Sequence, residues 1–211
     1  MIAPAFRELI RWVYRLSPYC WLDSLLKRRE NRCGGQPTEW NRWRERRKMT
    51  SEAYIVGWLL AAVALSVVSG WVSLPWWWCL PLLLRVLGIV NKELGVILFG
   101  ICKITEGGAV AATGRTIVLA LVNYLSAMFL FAASYQFSGR FAGVPAYLSE
   151  PEDPVGLVQA FNIQFTLNGP FVPADSWTLA MQSFQGLFCF MFGTMVISLF
   201  VSLLNVKPLN R

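Results

Sequence analysis

The strongest constraint on this chain is the stretch from Ala53 to Leu74, which is 22 residues long and contains no charge. A helix of about 20 apolar residues crosses the roughly 30 Å hydrocarbon layer of a membrane. The whole chain of 211 residues is 55% hydrophobic and only 15% charged, whereas an average soluble domain is about 25% charged. The sequence therefore predicts an all-α polytopic protein whose solvent is the bilayer.

A turn and a second crossing are predicted directly after this run. Pro75 and the three tryptophans at 76–78 indicate a tight turn at the far membrane interface, where aromatic side chains concentrate. The chain then returns over residues 79–90, and the long side chain of Arg85 is expected to reach the cytoplasmic headgroups. Apolar residues at helical spacing over 86–104 predict an amphipathic helix that lies at the cytoplasmic interface.

Two further crossings are predicted near the C-terminal end. The third span runs from Thr116 to about Gln136, and the fourth runs from about Trp177 to Leu204. Residues 137–154 contain glycines, prolines and a cluster of acids, which is typical of an exposed loop. The predicted parts of the chain are a basic cytoplasmic segment (1–50), helices 1 and 2 with the interfacial helix (51–104), a cytoplasmic loop (105–115) and a C-terminal module (116–211).

The basic charge is concentrated in residues 1–50, which hold twelve of the nineteen Lys and Arg residues and five of the twelve acids. Apolar residues and arginines share a helical period over residues 6–16, which is typical of a helix on a membrane surface; contact with another protein is the alternative. Nucleic acid is a less favoured partner, because a membrane span adjoins this segment. The residues assigned to lipid or partner binding are Arg7, Arg11, Arg15, Arg28, Arg29, Trp40, Trp43, Arg46 and Arg47.

The charge distribution also predicts the orientation of the chain. Basic residues are enriched in cytoplasmic loops of membrane proteins. Four spans keep the basic segment, Lys92, Lys103 and the basic tail on one side, and they leave the acidic loop on the other. We therefore predict an integral protein of the bacterial inner (plasma) membrane with both termini in the cytoplasm.

Enzyme chemistry is not indicated by this sequence. Histidine is absent, which excludes histidine-based hydrolases and histidine-ligated zinc or haem sites. The sequence has no phosphate-binding loop motif, and no pattern of paired Asp or of Ser with Lys is apparent. We predict neither catalytic activity nor a cofactor or metal site.

The segment between the third and fourth spans is the most informative part of the sequence. Val155 to Leu167 is too short and too polar to cross alone, and it is followed by the irregular stretch LNGPFVPAD. Gln182 and Gln185, near the start of the last span, could face this segment, a central axis or headgroups. A half-length helix followed by Gly- and Pro-containing backbone is the arrangement of a re-entrant pore loop.

This order resembles the pore module of prokaryotic potassium-channel-like proteins with two additional N-terminal helices. The resemblance covers roughly residues 53–205, and it implies a homo-oligomer, expected to be a tetramer, with a pore helix at Phe161–Thr166. A potassium filter reads TVGYG, whereas the first Gly and the Tyr are missing here, so the resemblance implies a pore that is not selective for potassium. It assigns the constriction to Thr166, Leu167, Asn168, Gly169 and Pro170, and the polar stripe of the last span assigns the pore lining to Thr194, Ser198, Ser202 and Asn205.

Two functions remain open at this point. The first is an ion or small-solute pore that is regulated from the cytoplasmic side. The second is a non-conducting sensor or anchor that holds a cytoplasmic partner at the membrane through residues 1–50, by analogy with the membrane subunits of phage-defence complexes. Hydrogen bonds between helices explain the polar stripe of the last span equally well without a pore.

Overall fold

The computed structural model describes residues 8, 12, 13, 15, 18–32, 37–72, 75–99 and 109–204, and most of them are helical. The helices are α1 (Pro18–Arg32), α2 (Pro37–Val68), α3 (Cys79–Phe99), α4 (Ala109–Ser138), α5 (Val155–Thr166) and α6 (Ser176–Leu204). Short 3-10 turns lie at Trp76–Trp78 and Ala146–Leu148. Two-residue strands β1 (Phe141–Ala142) and β2 (Val172–Pro173) pair in antiparallel register, with Phe141 opposite Pro173 and Ala142 opposite Val172.

Three of the described helices are long and apolar enough to cross a membrane: Asn41–Val68, Ile117–Ser138 and Ser176–Ser198. They correspond to the first, third and fourth spans predicted from the sequence. The prediction of a helical protein with several helices of membrane-spanning length and composition is therefore confirmed. The predicted second span lies in α3, which continues as one helix through Phe99 and also carries residues 86–99 of the stretch expected at the interface. Residues 100–104 of that stretch lie outside the described residues.

Two boundaries predicted from the sequence are wrong. The first span is expected to reach Leu74, but α2 ends at Val68 and residues 69–71 form a turn, where Gly70 disfavours a helix. Residues 105–115 were expected to form a loop, but α4 begins at Ala109, so residues 109–115 are helical. Ala109, Ala111 and Ala112 explain the difference, because alanine has the strongest helix propensity and outweighs the single Gly114. The rest of the predicted loop lies outside the described residues.

Helix α4 forms the centre of the bundle and contacts α2, α3, α5 and α6. Its inward face combines small and large side chains, such as Ala127, Ala133 and Phe131, which are all fully buried. Small residues allow neighbouring helices to approach closely in a membrane protein. The core is completed by Val86 and Ile89 of α3, Ile163 of α5, and Phe188 and Phe192 of α6.

A helical hairpin precedes the first span. α1 packs against the first turns of α2, where the guanidinium of Arg47 contacts Asp23 at 2.7 Å and Glu30 at 3.0 Å. α1 ends at Arg32, and α2 starts with Pro37, a favoured residue for the first helical position. α2 continues for 32 residues from this hairpin into the apolar run.

Candidate functional site

The candidate site is built around α5, which has 12 residues and is therefore about 18 Å long. That length is well below the roughly 30 Å thickness of the hydrocarbon layer. α5 starts beside the C-terminal end of α4, where the Gly156 N–H donates to Gln136 Oε1 at 2.9 Å. The two backbones are very close here, because a Cβ on Gly156 would overlap the carbonyl oxygen of Ala132.

A buried polar network fixes the other end of α5. The hydroxyl of Tyr124 donates to the carbonyl oxygen of Gln164 at 2.6 Å, and the Gln164 amide donates back to the Tyr124 carbonyl at 3.1 Å. From α6, the Gln185 amide donates to the carbonyl of Ala160 at 2.9 Å and to Gln164 Oε1 at 3.1 Å. Tyr135 donates to Gln185 Oε1 at 3.0 Å, so one connected network joins α4, α5 and α6. Because each amide meets its partners, these side chains are tolerated in an apolar interior.

α5 ends in a backbone conformation that is unusual for its residue type. Leu167 has φ of 58° and ψ of 16°, and its N–H donates to the Ile163 carbonyl at 3.0 Å. This left-handed helix end is normally occupied by glycine or asparagine. The Thr166 hydroxyl approaches the Asn162 carbonyl at 2.6 Å and the Asn168 carbonyl at 3.1 Å, which stabilises the turn.

Gln159 holds the chain as it leaves α5. Its amide oxygen accepts from the Phe171 N–H at 3.1 Å, and its amide nitrogen donates to the Phe171 carbonyl at 3.3 Å. Gly169 lies directly against this amide, since a Cβ there would fall 2.9 Å from Gln159 Cδ. The chain then enters β2, and the Ala174 N–H donates to the Arg140 carbonyl at 2.8 Å. Both ends of segment 155–174 therefore lie at the C-terminal end of α4.

The five residues assigned to the constriction lie together at this turn, which we call the tip (residues 166–170). Thr166, Leu167, Asn168 and Pro170 are exposed, and Gly169 is half-buried against Gln159. The exposed fraction of Leu167 reaches 62%. The tip overlaps the longest run of exposed residues in this segment (165–168), and Phe161 and Val172 of the same segment are exposed as well.

Two of the four residues assigned to the pore lining lie on an exposed face of α6. Thr194 and Ser198 are exposed, on the same face as Leu187 and Phe190. Their hydroxyls bond to their own helix, to the Phe190 and Thr194 carbonyls, each at 2.8 Å. Within this chain the described stripe therefore links no helices. Ser202 belongs to the end of α6, and Asn205 lies outside the described residues.

Some of the residues assigned to lipid or partner binding contact other side chains of this protein, and others are exposed or lie outside the described residues. Arg47 is engaged within the hairpin by Asp23 and Glu30, and Arg29 and Arg46 lie over the Trp43 ring at 5.7 Å and 5.1 Å. Arg28 is exposed, and Arg15 lies over Trp12. Trp40 belongs to α2, whereas Arg7 and Arg11 lie outside the described residues.

Arg85 of α3 has a different environment from the one that the sequence indicated. Its guanidinium carbon lies 5.3 Å from the ring centres of both Tyr54 and Trp58 on α2. Two ring faces therefore stabilise this cation within the bundle. The contact joins residues more than twenty-five positions apart, so no local sequence pattern could have revealed it.

The structure also reveals polar residues that the sequence did not assign a role. Gln159, Gln164 and Gln185 are fully buried. The amide of Gln185 faces α5, which is one of the three environments that the sequence allowed for it. The available signal was the presence of glutamines in apolar segments, where a polar group needs a partner. Among the described residues, no group of three or more Cys, Asp or Glu side chains is placed to hold a metal ion.

Asp175 caps the N-terminus of α6. Its Oδ1 accepts from the Thr178 N–H at 2.7 Å, which is the usual role of an aspartate before the first helical turn. Side-chain and backbone hydrogen bonds from Thr178 hold the pKa of this carboxyl below its ordinary value, and Arg140 acts in the same direction.

This cap predicts a specific pH dependence. A lowered folded-state pKa means that the charged cap stabilises the protein above the ordinary carboxyl pKa and that the contribution is lost as the pH falls through the folded value. We expect thermal unfolding in detergent to show a smaller acid-induced drop between about pH 5 and pH 2 for Asp175→Asn, because asparagine caps a helix without titrating. Identical drops in wild type and Asp175→Asn would show that the cap does not titrate in this range.

Comparisons of this chain with protein-family models, with curated proteins and with solved structures found no match.

Proposed function

We propose that this chain is a subunit of an oligomeric membrane pore, in which α2, α3, α4 and α6 cross the bilayer and α5 enters and returns on one side. The tips of several copies, expected to be four, surround a central axis and form the constriction. The exposed face of α6 that contains Thr194 and Ser198 lines the path below it. The pore conducts ions or small solutes and is not selective for potassium.

The exposed tip is the observation that carries this proposal. Irregular backbone at membrane depth is tolerated only where protein buries it or where it lines a water-filled path. One copy of the chain leaves Thr166, Asn168 and Pro170 exposed, although the bonds between Gln159 and Phe171 anchor the segment beside them. In an oligomer with a central axis, neighbouring copies would bury part of the tip, and water in the path would solvate the rest.

The filter chemistry follows from the residues at the tip. Leu167 occupies a position where a potassium filter has glycine, and Pro170 follows the remaining Gly169. Stacked carbonyl rings need a backbone that glycine adopts easily. A ring of Asn168 amides would instead select weakly, by size and hydrogen bonding.

Recordings from purified protein in planar bilayers test this proposal. We expect wild type to conduct and Asn168→Leu to lower the unitary conductance by about tenfold, because a ring of apolar side chains favours dewetting of a narrow pore. Asn41→Leu makes the same chemical change at an exposed position near the start of α2, far along the chain from the tip, and should leave the conductance unchanged. Unaltered current through Asn168→Leu would show that the tip does not line the conducting path. A complete absence of current in wild type would reject the pore.

The hairpin supports the second function, a membrane anchor for a cytoplasmic partner. Trp21, Leu25 and Arg28 are exposed along one side of α1, and the exposed fractions of Trp21 and Leu25 are 65% and 59%. An exposed apolar strip flanked by basic residues suits a protein or lipid surface. Co-purification distinguishes the two functions. An anchor should carry a partner protein that is lost when residues 1–50 are deleted, whereas a pore without a partner should purify alone with or without these residues.

A further inference from the structure

A cleft of about 390 Å³ opens between the C-terminal end of α4 and the N-terminal end of α6. It is lined by Trp76, Ser138, Arg140, Asp175 and Trp177. Its volume falls within the roughly 300–1,000 Å³ range of small-molecule sites. The cleft adjoins the Trp76–Trp78 turn, so it lies where the tryptophans indicate the membrane interface.

The aromatic wall of the cleft has a fixed geometry. The rings of Trp76 and Trp177 meet edge to face, with their centres 6.1 Å apart. The indole N–H of Trp177 donates to the Ser138 hydroxyl at 2.9 Å, which sets the orientation of that ring. Indole faces attract ammonium groups, and tryptophan is the strongest of the aromatic residues in this role.

Two opposite charges complete the cleft. The backbone of Arg140 is held on both sides, because its N–H donates to Thr178 Oγ1 at 2.8 Å and its carbonyl accepts from Ala174 at 2.8 Å. Its side chain is 81% exposed and its Nε lies 3.8 Å from Asp175 Oδ2, which is a long separation for an ion pair. The guanidinium therefore keeps donors for a phosphate, which it can bind in a bidentate manner. Asp175 uses Oδ1 for its cap and leaves Oδ2 near the cleft.

We infer that this cleft binds the headgroup of a zwitterionic phospholipid, with its phosphate on Arg140 and its ammonium group between Asp175 and the indoles of Trp76 and Trp177. A headgroup of this class carries the two charges a few ångströms apart, as the cleft does. The acyl chains would continue into the bilayer beside α3 and α6. The cleft would bind this headgroup whether the chain forms a pore or an anchor.

Lipid retention measured by native mass spectrometry tests the inference. Protein is equilibrated in detergent with equal amounts of phosphatidylethanolamine and phosphatidylglycerol, and the retained lipids are counted. We expect wild type to retain phosphatidylethanolamine selectively and Arg140→Gln and Trp76→Leu to retain about fivefold less. Arg140→Lys should be intermediate, because it keeps the charge but loses the planar fork.

Trp71→Leu is the matched control, because Trp71 is 65% exposed just beyond α2 and does not line the cleft. It should retain as much phosphatidylethanolamine as wild type. Equal retention in wild type, Arg140→Gln and Trp76→Leu would overturn the site, and equal retention of both lipids in wild type would overturn the role of the ammonium group. Displacement of the lipid by millimolar glycerophosphoethanolamine would show that the cleft serves a soluble compound and would overturn the assignment to a lipid.

Discussion

Replacing Gly156 by alanine is expected to lower the stability of the protein by about 3 kcal/mol, the upper end of the usual cost of overpacking. The added Cβ would overlap the Ala132 carbonyl oxygen and fall 2.7 Å from the backbone nitrogen of Gln136. Both are backbone atoms of α4, so neither can rotate away. α5 must move outward, and the hydrogen bond between Gly156 and Gln136 must lengthen. Thermal unfolding in detergent measures the effect.

Gly57→Ala is the control for this change. Gly57 lies in α2 with nothing within 4 Å of a Cβ. Alanine there should leave the stability unchanged or raise it by up to about 1 kcal/mol, the difference in helix propensity. Equal unfolding temperatures for Gly156→Ala and wild type would mean that α5 does not pack against α4 as closely as described.

Gln185→Leu is expected to destabilise the protein by about 2 kcal/mol, because it removes one partner from several buried polar groups. The substitution leaves the Tyr135 hydroxyl and the Gln164 amide oxygen without their bonds to this residue. It also releases the Ala160 carbonyl on α5. Since the network joins three helices, we expect α5 to loosen first, which hydrogen–deuterium exchange over residues 155–166 would detect.

A double substitution separates this network from simple packing. Tyr135→Phe removes the hydroxyl that Gln185→Leu leaves unpaired, so the double variant should be more stable than the sum of the two single effects predicts. Ser183→Ala changes an exposed residue of α6 and should have no measurable effect. Additive effects of Tyr135→Phe and Gln185→Leu would show that these side chains are not coupled.

The helices could largely be predicted from the sequence, because the bilayer demands long uncharged runs. Ala53 to Leu74, Thr116 to Gln136 and Trp177 to Leu204 match three helices that could cross, and the short segment from Val155 matches α5. Helix ends that depend on small differences in helix propensity could not be predicted as well. α4 begins at Ala109 because helix propensity extends the span beyond its apolar part.

The polar contacts could not be predicted, because each one joins distant parts of the chain. A buried glutamine indicates that a partner is needed but not which one, so the Gln164, Gln185 and Tyr135 network emerged only with the packing of three helices. The same holds for Arg47, whose partner Asp23 is 24 residues away. The left-handed turn at Leu167 was also unexpected, since leucine rarely adopts that backbone.

The arrangement of several tips around one axis is the central claim, and disulfide cross-linking in native membranes tests it most directly. Asn168→Cys is introduced after Cys20, Cys33 and Cys102 are replaced by serine, and Leu60→Cys on the exposed apolar side of α2 is the control. Disulfides require Cα atoms within about 7 Å of each other. We expect oxidation to yield covalent dimers of Asn168→Cys and only monomers of Leu60→Cys. Monomers alone for Asn168→Cys, or equal cross-linking at both positions, would contradict a shared axis at the tip.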